Sequence, residues 1–378
     1  MVLNPFKIKG CTRRKCFEST SIEIDKISVK NFGATMGQNT LKAFILKAFS
    51  GLIIGFECRG NVEKFHGAVV DHVGRSDTRV FQEVRKTGEV LKKIDEIAGT
   101  AVNARVAILF DWENMWALEA CQGFQLKDKK YEETCVAYYQ PFWKRGIAVD
   151  VIGPQKDFSR YDLVVAPMLY MADEKMIEKI ADFVKNGGTF YATYMLGMVN
   201  ETDLCYLGGF PAKKLKDVFG IWNEEIDTLY PNERGAVLLE EKPYTTKDYA
   251  EIIHEKTATV LARYEKDFYK GFPAYTINEY GKGKAYYQAF RDTGEFKDKA
   301  IQNILKDLEI RGCIAGELPD GVSAHTRTDG KTTYLFVENY TQNEVCDIPL
   351  GDVYEDMLTG EKTCFTRLKA YDICILKK

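Results

Sequence analysis

The chain has 378 residues, 45% of them hydrophobic, enough to fill the cores of two or three domains. Its net charge of -3 provides no basic field, so a nucleic-acid partner is not expected. Ten cysteines without a Cys-x-x-Cys pair exclude a zinc ribbon and a dithiol redox motif, and fit reduced thiols in a cytoplasmic protein.

Residues 1–16 are basic but lack the apolar segment of a signal peptide. The longest apolar stretch, 41–56, is interrupted by Lys42 and Lys47 and is too short and charged to span a bilayer, so no membrane partner is expected. Residues 41–58 predict a helix running into a strand, with Leu41, Phe44, Ile45, Ala48 and Phe49 at helical spacing. A polar loop over 59–72 follows and holds His66 and His72. Residues 78–97 predict an amphipathic helix with Val80, Val84, Val90, Leu91 and Ile94 on one side, ended by Gly99. Together these make one incomplete α/β unit, far short of a closed eight-unit barrel.

The centre of the chain is more regular. Short apolar runs at 106–110, 147–152, 163–167 and 189–194 read as strands, the first buried on both faces. Helices are predicted between them at 131–146 and 173–188, the second with Asp173 as N-cap and Asn186, Gly187 and Gly188 as its stop. Strands alternating with helices argue for a parallel sheet covered on both sides. A loop from 204 carries Gly208 and Gly209 into a short helix ending at 219. Strands follow at 236–239, 258–264, 274–277 and 284–290, with Gly281, Lys282 and Gly283 as the turn before the last. A helix over 296–309 turns Ile301, Ile304, Leu305 and Leu308 inward. Residues 313–378 read as a small antiparallel β module, with strands at 322–326, 332–339, 346–349 and 370–376.

Three constellations could carry chemistry. Asp111, Glu113 and Asn114 lie just past the first central strand, where open α/β sheets bind ligands. The competing reading is a helix cap, with Trp112 and Trp116 at a subunit interface. That reading weighs more. No glycine-rich phosphate loop follows the strand, and the run at 189–194 leads into Thr193, Tyr194, Met195, Leu196 and Gly197 without a nucleophile. Glu63 and His66 stand three apart, able to hold sugar hydroxyls or a metal, or to lie on a solvated loop; spacing alone favours the loop. Glu18 alone is a surface carboxylate unless a second carboxyl faces it at about 5–5.5 Å, as retaining glycoside hydrolysis requires. His254 and His325 stand alone and read as surface or core residues, and no metal site or cofactor motif emerges.

Residues 106–123, 142–150, 166–170, 186–189 and 203–211 resemble the middle domain of family 42 β-galactosidases, and 63–72 resembles the loop joining that family's catalytic barrel to it. The likeness covers roughly residues 55–378. It implies a remnant of the C-terminal end of a (β/α)8 barrel over 1–100, and a trimerisation domain over 101–312 with a glutamine-amidotransferase-like (flavodoxin-like) α/β fold and no amidotransferase chemistry. It also implies a C-terminal antiparallel β domain over 313–378. It further implies a homotrimer, a β-galactoside as substrate, no cofactor and no metal. Glu63 and His66 match the family's galactose-binding residues, and the segment Cys16, Phe17, Glu18, Ser19 and Thr20 resembles the one bearing its nucleophile, which would make Glu18 that nucleophile. The family's proline and sugar-stacking tryptophan after that segment have no counterpart in 21–29, and only seventeen residues precede Glu18, leaving no acid/base glutamate. The expectation is a truncated β-galactosidase with little or no activity alone, or a non-catalytic assembly module.

Overall fold

A computed structural model describes residues 72, 74–124 and 129–378, which divide into two compact units. One is built from Ala104–Phe142 and Val149–Arg311; the other from Trp143–Ala148, Gly312–Lys378 and the described residues before Ala104.

The larger unit is organised on an eleven-stranded mixed sheet. Strands β1 (Val106–Leu109), β2 (Val149–Ile152), β3 (Leu163–Ala166), β4 (Thr189–Thr193) and β10 (Gly283–Gln288) are mutually parallel, in the order 2-1-3-4-10. The apolar runs explain them. All four residues of β1 and of β3 are buried, as a strand covered on both faces requires. β2 lies at the sheet's end and alternates buried with half-buried positions. Beyond β10 the sheet turns antiparallel through β9 (Pro273–Tyr280), β8 (Thr259–Tyr264), β6 (Gly235–Leu239) and β7 (Lys242–Glu255). β5 (Ile221–Thr228) and β11 (Phe290–Asp292) both pair with β7.

The helices of this unit are α2 (Trp112–Ala120), α3 (Tyr131–Trp143, whose last residue belongs to the other unit), α4 (Glu174–Lys185), α5 (Leu215–Phe219) and α6 (Glu295–Asp307). Asp173 caps α4 by accepting the Met176 N–H at 2.7 Å, as the sequence suggests. Ile177, Ile180 and Val184 of α4 are fully buried against Ala107, Val164 and Phe190 of the sheet, with Leu215 and Phe219 of α5 completing the cluster. Each such side chain contributes about 1.5–3 kcal/mol by burial. A second cluster joins Phe110, Met115, Leu118, Tyr131 and Cys135 to Met168, Tyr194 and Tyr249. Gly283 opens β10 where a Cβ would lie 2.2 Å from the Gly188 carbonyl oxygen, so the glycines ending α4 and starting β10 permit a backbone approach no other residue allows.

The smaller unit contains α1 (Arg79–Lys93), a 3-10 turn (Asp95–Ile97) and a five-stranded antiparallel sheet. Its strands are β12 (Val322–Thr328), β13 (Thr333–Asn339), β14 (Val345–Asp356), β15 (Lys362–Leu368) and β16 (Ile373–Lys377), in the order 12-13-16-14-15. The two-residue period of β13 divides its side chains between faces. Leu335 and Val337 pack with Ile348, Leu350 and Leu376, while Tyr334 and Phe336 pack with Ile94 and Ile97. The helix expected over 78–97 therefore ends early, at Lys93, and the chain after it covers one face of the β sheet.

Candidate functional site

The carboxyl ends of the parallel strands are the place to look for chemistry in such a sheet. Asp111 follows β1 and accepts the Glu113 N–H at 3.0 Å, so it is the N-cap of α2. Burial pushes its carboxyl up to about 6, against the opposing pull of that backbone bond. Asn114 is fully buried; its Nδ2 donates to the Met168 carbonyl at 3.0 Å and its Oδ1 accepts the Met171 N–H at 2.8 Å. Glu113 is exposed and stays on the outer side of the helix turn. Trp112 packs edge-on against Phe110 at 5.1 Å, and Trp116 is 38% exposed. Asp111 and Asn114 thus do structural work, and nothing in the triplet forms a reactive pair.

β4 leads into a sharp turn. Met195 sits there at φ 64°, a left-handed conformation unfavourable for a side-chain-bearing residue. Glu251, from β7, holds this turn: its Oε1 accepts the Met195 N–H at 2.7 Å, and its Oε2 accepts the Tyr287 hydroxyl. Glu251 is fully buried, and burial pushes its carboxyl up to about 7. Beside it, Arg291 of β11 donates to the Tyr194 hydroxyl at 2.6 Å, Asp248 at 3.1 Å and the Lys129 carbonyl at 2.6 Å. Its guanidinium also lies over the Tyr194 and Tyr249 rings, at 5.5 and 4.8 Å. The crevice where a ligand would enter is occupied by a buried polar core, with a methionine at its strained turn.

The predicted site residues Glu18, Glu63 and His66 lie outside the described residues. His254 contacts Glu224 at 2.6 Å and stacks on Trp222 at 4.1 Å; His325 stacks on Phe336 at 5.0 Å and lies 3.4 Å from Glu338. Among the described residues no group of three or more His, Cys, Asp or Glu could hold a metal ion, and no helix is long and apolar enough to cross a membrane. Glu251 and Arg291 escaped sequence reasoning because both act through strand pairings with distant segments. The available signal was the aromatic and branched run Tyr249, Ala250, Glu251, Ile252 and Ile253, in which one carboxylate interrupts an otherwise apolar strand.

Comparison with known proteins gives this scaffold a family. Residues 104–311 match the family model described as "Beta-galactosidase trimerisation domain", residues 321–378 match "Beta-galactosidase C-terminal domain", and residues 56–94 match "Beta-galactosidase". Beta-galactosidase Pbg of Clostridium perfringens is 45% identical over 329 residues, covering 85% of this chain and 48% of the relative. Beta-galactosidase GanA of Bacillus subtilis is 43% identical over 312 residues, covering 80% and 46%. Among solved structures, a catalytic mutant of Gan42B, a GH42 beta-galactosidase from G. stearothermophilus, superposes with a TM-score of 0.84 at 41% identity, over 91% of this chain and 51% of that one. The chain spans about half the length of the curated relatives it matches. With residues 104–311, more than half of its length, matched by that trimerisation domain, the chain belongs to the family 42 β-galactosidases.

Proposed function

We propose that this chain works as the assembly portion of a β-galactosidase: residues 101–312 hold three copies together, and the chain by itself turns over little or no β-galactoside. The observation that carries this reading is the division of the family matches. The trimerisation description covers 104–311, whereas the description without a domain qualifier covers only 56–94. Retaining hydrolysis needs two carboxyls about 5–5.5 Å apart, one of them protonated to assist the leaving group. In this reading Glu18 stands at the nucleophile's position and Glu63 and His66 at the galactose-binding positions, but no residue of 1–100 can be assigned as the partner acid. General acid assistance is worth about 10²–10⁴-fold in rate.

The parallel half of the central domain takes, in this proposal, a glutamine-amidotransferase-like arrangement stripped of its chemistry. Support comes from the strand order 2-1-3-4-10, the order of flavodoxin-like doubly wound sheets, and from Met195 in the left-handed turn where a hydrolase would place its nucleophile. An assay of the purified chain on a nitrophenyl β-galactoside tests the reading. Turnover at background is expected; rates near those of the longer relatives would overturn it.

A further inference from the structure

A depression of about 300 Å³ lies where the Gly208–Gly209 turn meets the start of β5, lined by Gly208, Gly209, Phe210, Lys216, Trp222, Asn223 and Lys256. Its chemistry is one-sided. No carboxylate lines it, while two ammonium groups do. Lys216 donates to the Gly208 carbonyl and has further protons to give, and a Cβ on Gly209 would lie 3.7 Å from its Nζ. The Lys256 ammonium makes no ion pair among the described residues. The backbone N–H groups of Gly208 and Gly209 find no acceptor among the described residues either, while Phe210 pairs with Asn223 of β5. Gly208 and Gly209 both adopt positive φ, at 92° and 82°, and a Cβ at Gly208 would meet only open space. Successive backbone N–H groups in such turns form anion-binding concavities. Trp222, 38% exposed, brings an indole to the same rim, the side chain suited to an apolar sugar face. Asn223, next in β5, is 8% exposed and turns its amide toward the buried Glu251 carboxyl, closing the floor beneath the indole.

Unused donors, unpaired positive charge and an exposed indole, in a space of single-ligand size, call for a compact anion attached to a ring. We propose that this depression binds the phosphate group of a small phosphorylated ligand of the sugar-phosphate class. The N–H groups of the turn and the two ammoniums hold the phosphate oxygens, and Trp222 contacts the sugar. The proposal does not depend on the assembly reading.

Titration calorimetry of the full chain with galactose 6-phosphate, inorganic phosphate and galactose tests the proposal. Saturable binding is expected for galactose 6-phosphate, weaker binding for inorganic phosphate, and the weakest for galactose. Removing one charged donor should weaken galactose 6-phosphate binding about tenfold, so the double variant K216Q/K256Q should weaken it by about a hundredfold. Both lysines lie at the surface, and the variant's melting temperature should match that of the parent. Absence of saturable binding by either phosphate, galactose binding as tight as its 6-phosphate, or unchanged affinity in a folded K216Q/K256Q variant would each overturn the assignment.

Discussion

Replacing Glu251 by glutamine should change how stability depends on pH, more than stability itself. In the folded chain its carboxyl is pushed from 4.5 up to about 7 by burial. Between those values the folded state keeps a proton that the unfolded state has released. Stability is therefore complete below pH 4.5, falls as pH rises through this window, and levels off above pH 7. The loss is about 3 kcal/mol, since each tenfold difference in proton affinity between the two states is worth roughly 1.4 kcal/mol. Glutamine keeps an acceptor for the Met195 N–H but cannot ionise. Glu251→Gln should thus be close to the parent at pH 5 and gain about 3 kcal/mol on it by pH 8. For a unit of this size that difference is about 6–12 °C in melting temperature. Thermal unfolding of parent and variant at pH 5, 6, 7 and 8 measures it. Curves that stay parallel across the range would refute the raised carboxyl and the burial argument behind it.

Other substitutions probe the same scaffold. Asn114→Ala strands the Met171 N–H and the Met168 carbonyl in a buried place and should cost about 2–5 kcal/mol in urea unfolding, with Glu113→Gln nearly neutral. Gly220→Ala forces a Cβ to 2.5 Å from Thr257 Oγ1 and 2.7 Å from the Ala258 nitrogen at φ 62°, and should lower stability by more than about 1 kcal/mol in the same experiment. Asp173→Ala removes the cap of α4 and should cost about 1 kcal/mol, seen as a lower urea midpoint with unchanged slope.

The parts of the fold legible in the sequence were those where burial writes a simple pattern. β1, β3 and β4 are covered on both faces, so Val106, Ala107, Ile108 and Leu109, for example, form an unbroken apolar run. α4 announced itself through Asp173 at one end and Gly187, at φ 116°, at the other. β5 and β7 were not anticipated. β5 pairs with a single strand, β7, and carries a bulge between Asn223 and Glu225, which breaks the two-residue period. β7 opens with Lys242 and Pro243, mixes charged residues, threonines and tyrosines without a regular period, and takes three different partners along its length, so no single face dictates its composition. β15 is mostly exposed and offers almost no apolar pattern to read. The same limits hid the polar core. The Glu251–Met195 bond joins residues 56 apart, and the tie from Arg291 to Lys129 spans 162; such contacts exist only once the sheet is assembled. The absence of a nucleophile after β4, by contrast, was visible as Met195 itself.

The central claim is that this chain assembles rather than catalyses, and its mass in solution tests that most directly. Light scattering of the purified chain at micromolar concentration should give three times the 43.0 kDa chain mass. A clean monomer under the same conditions would contradict the account.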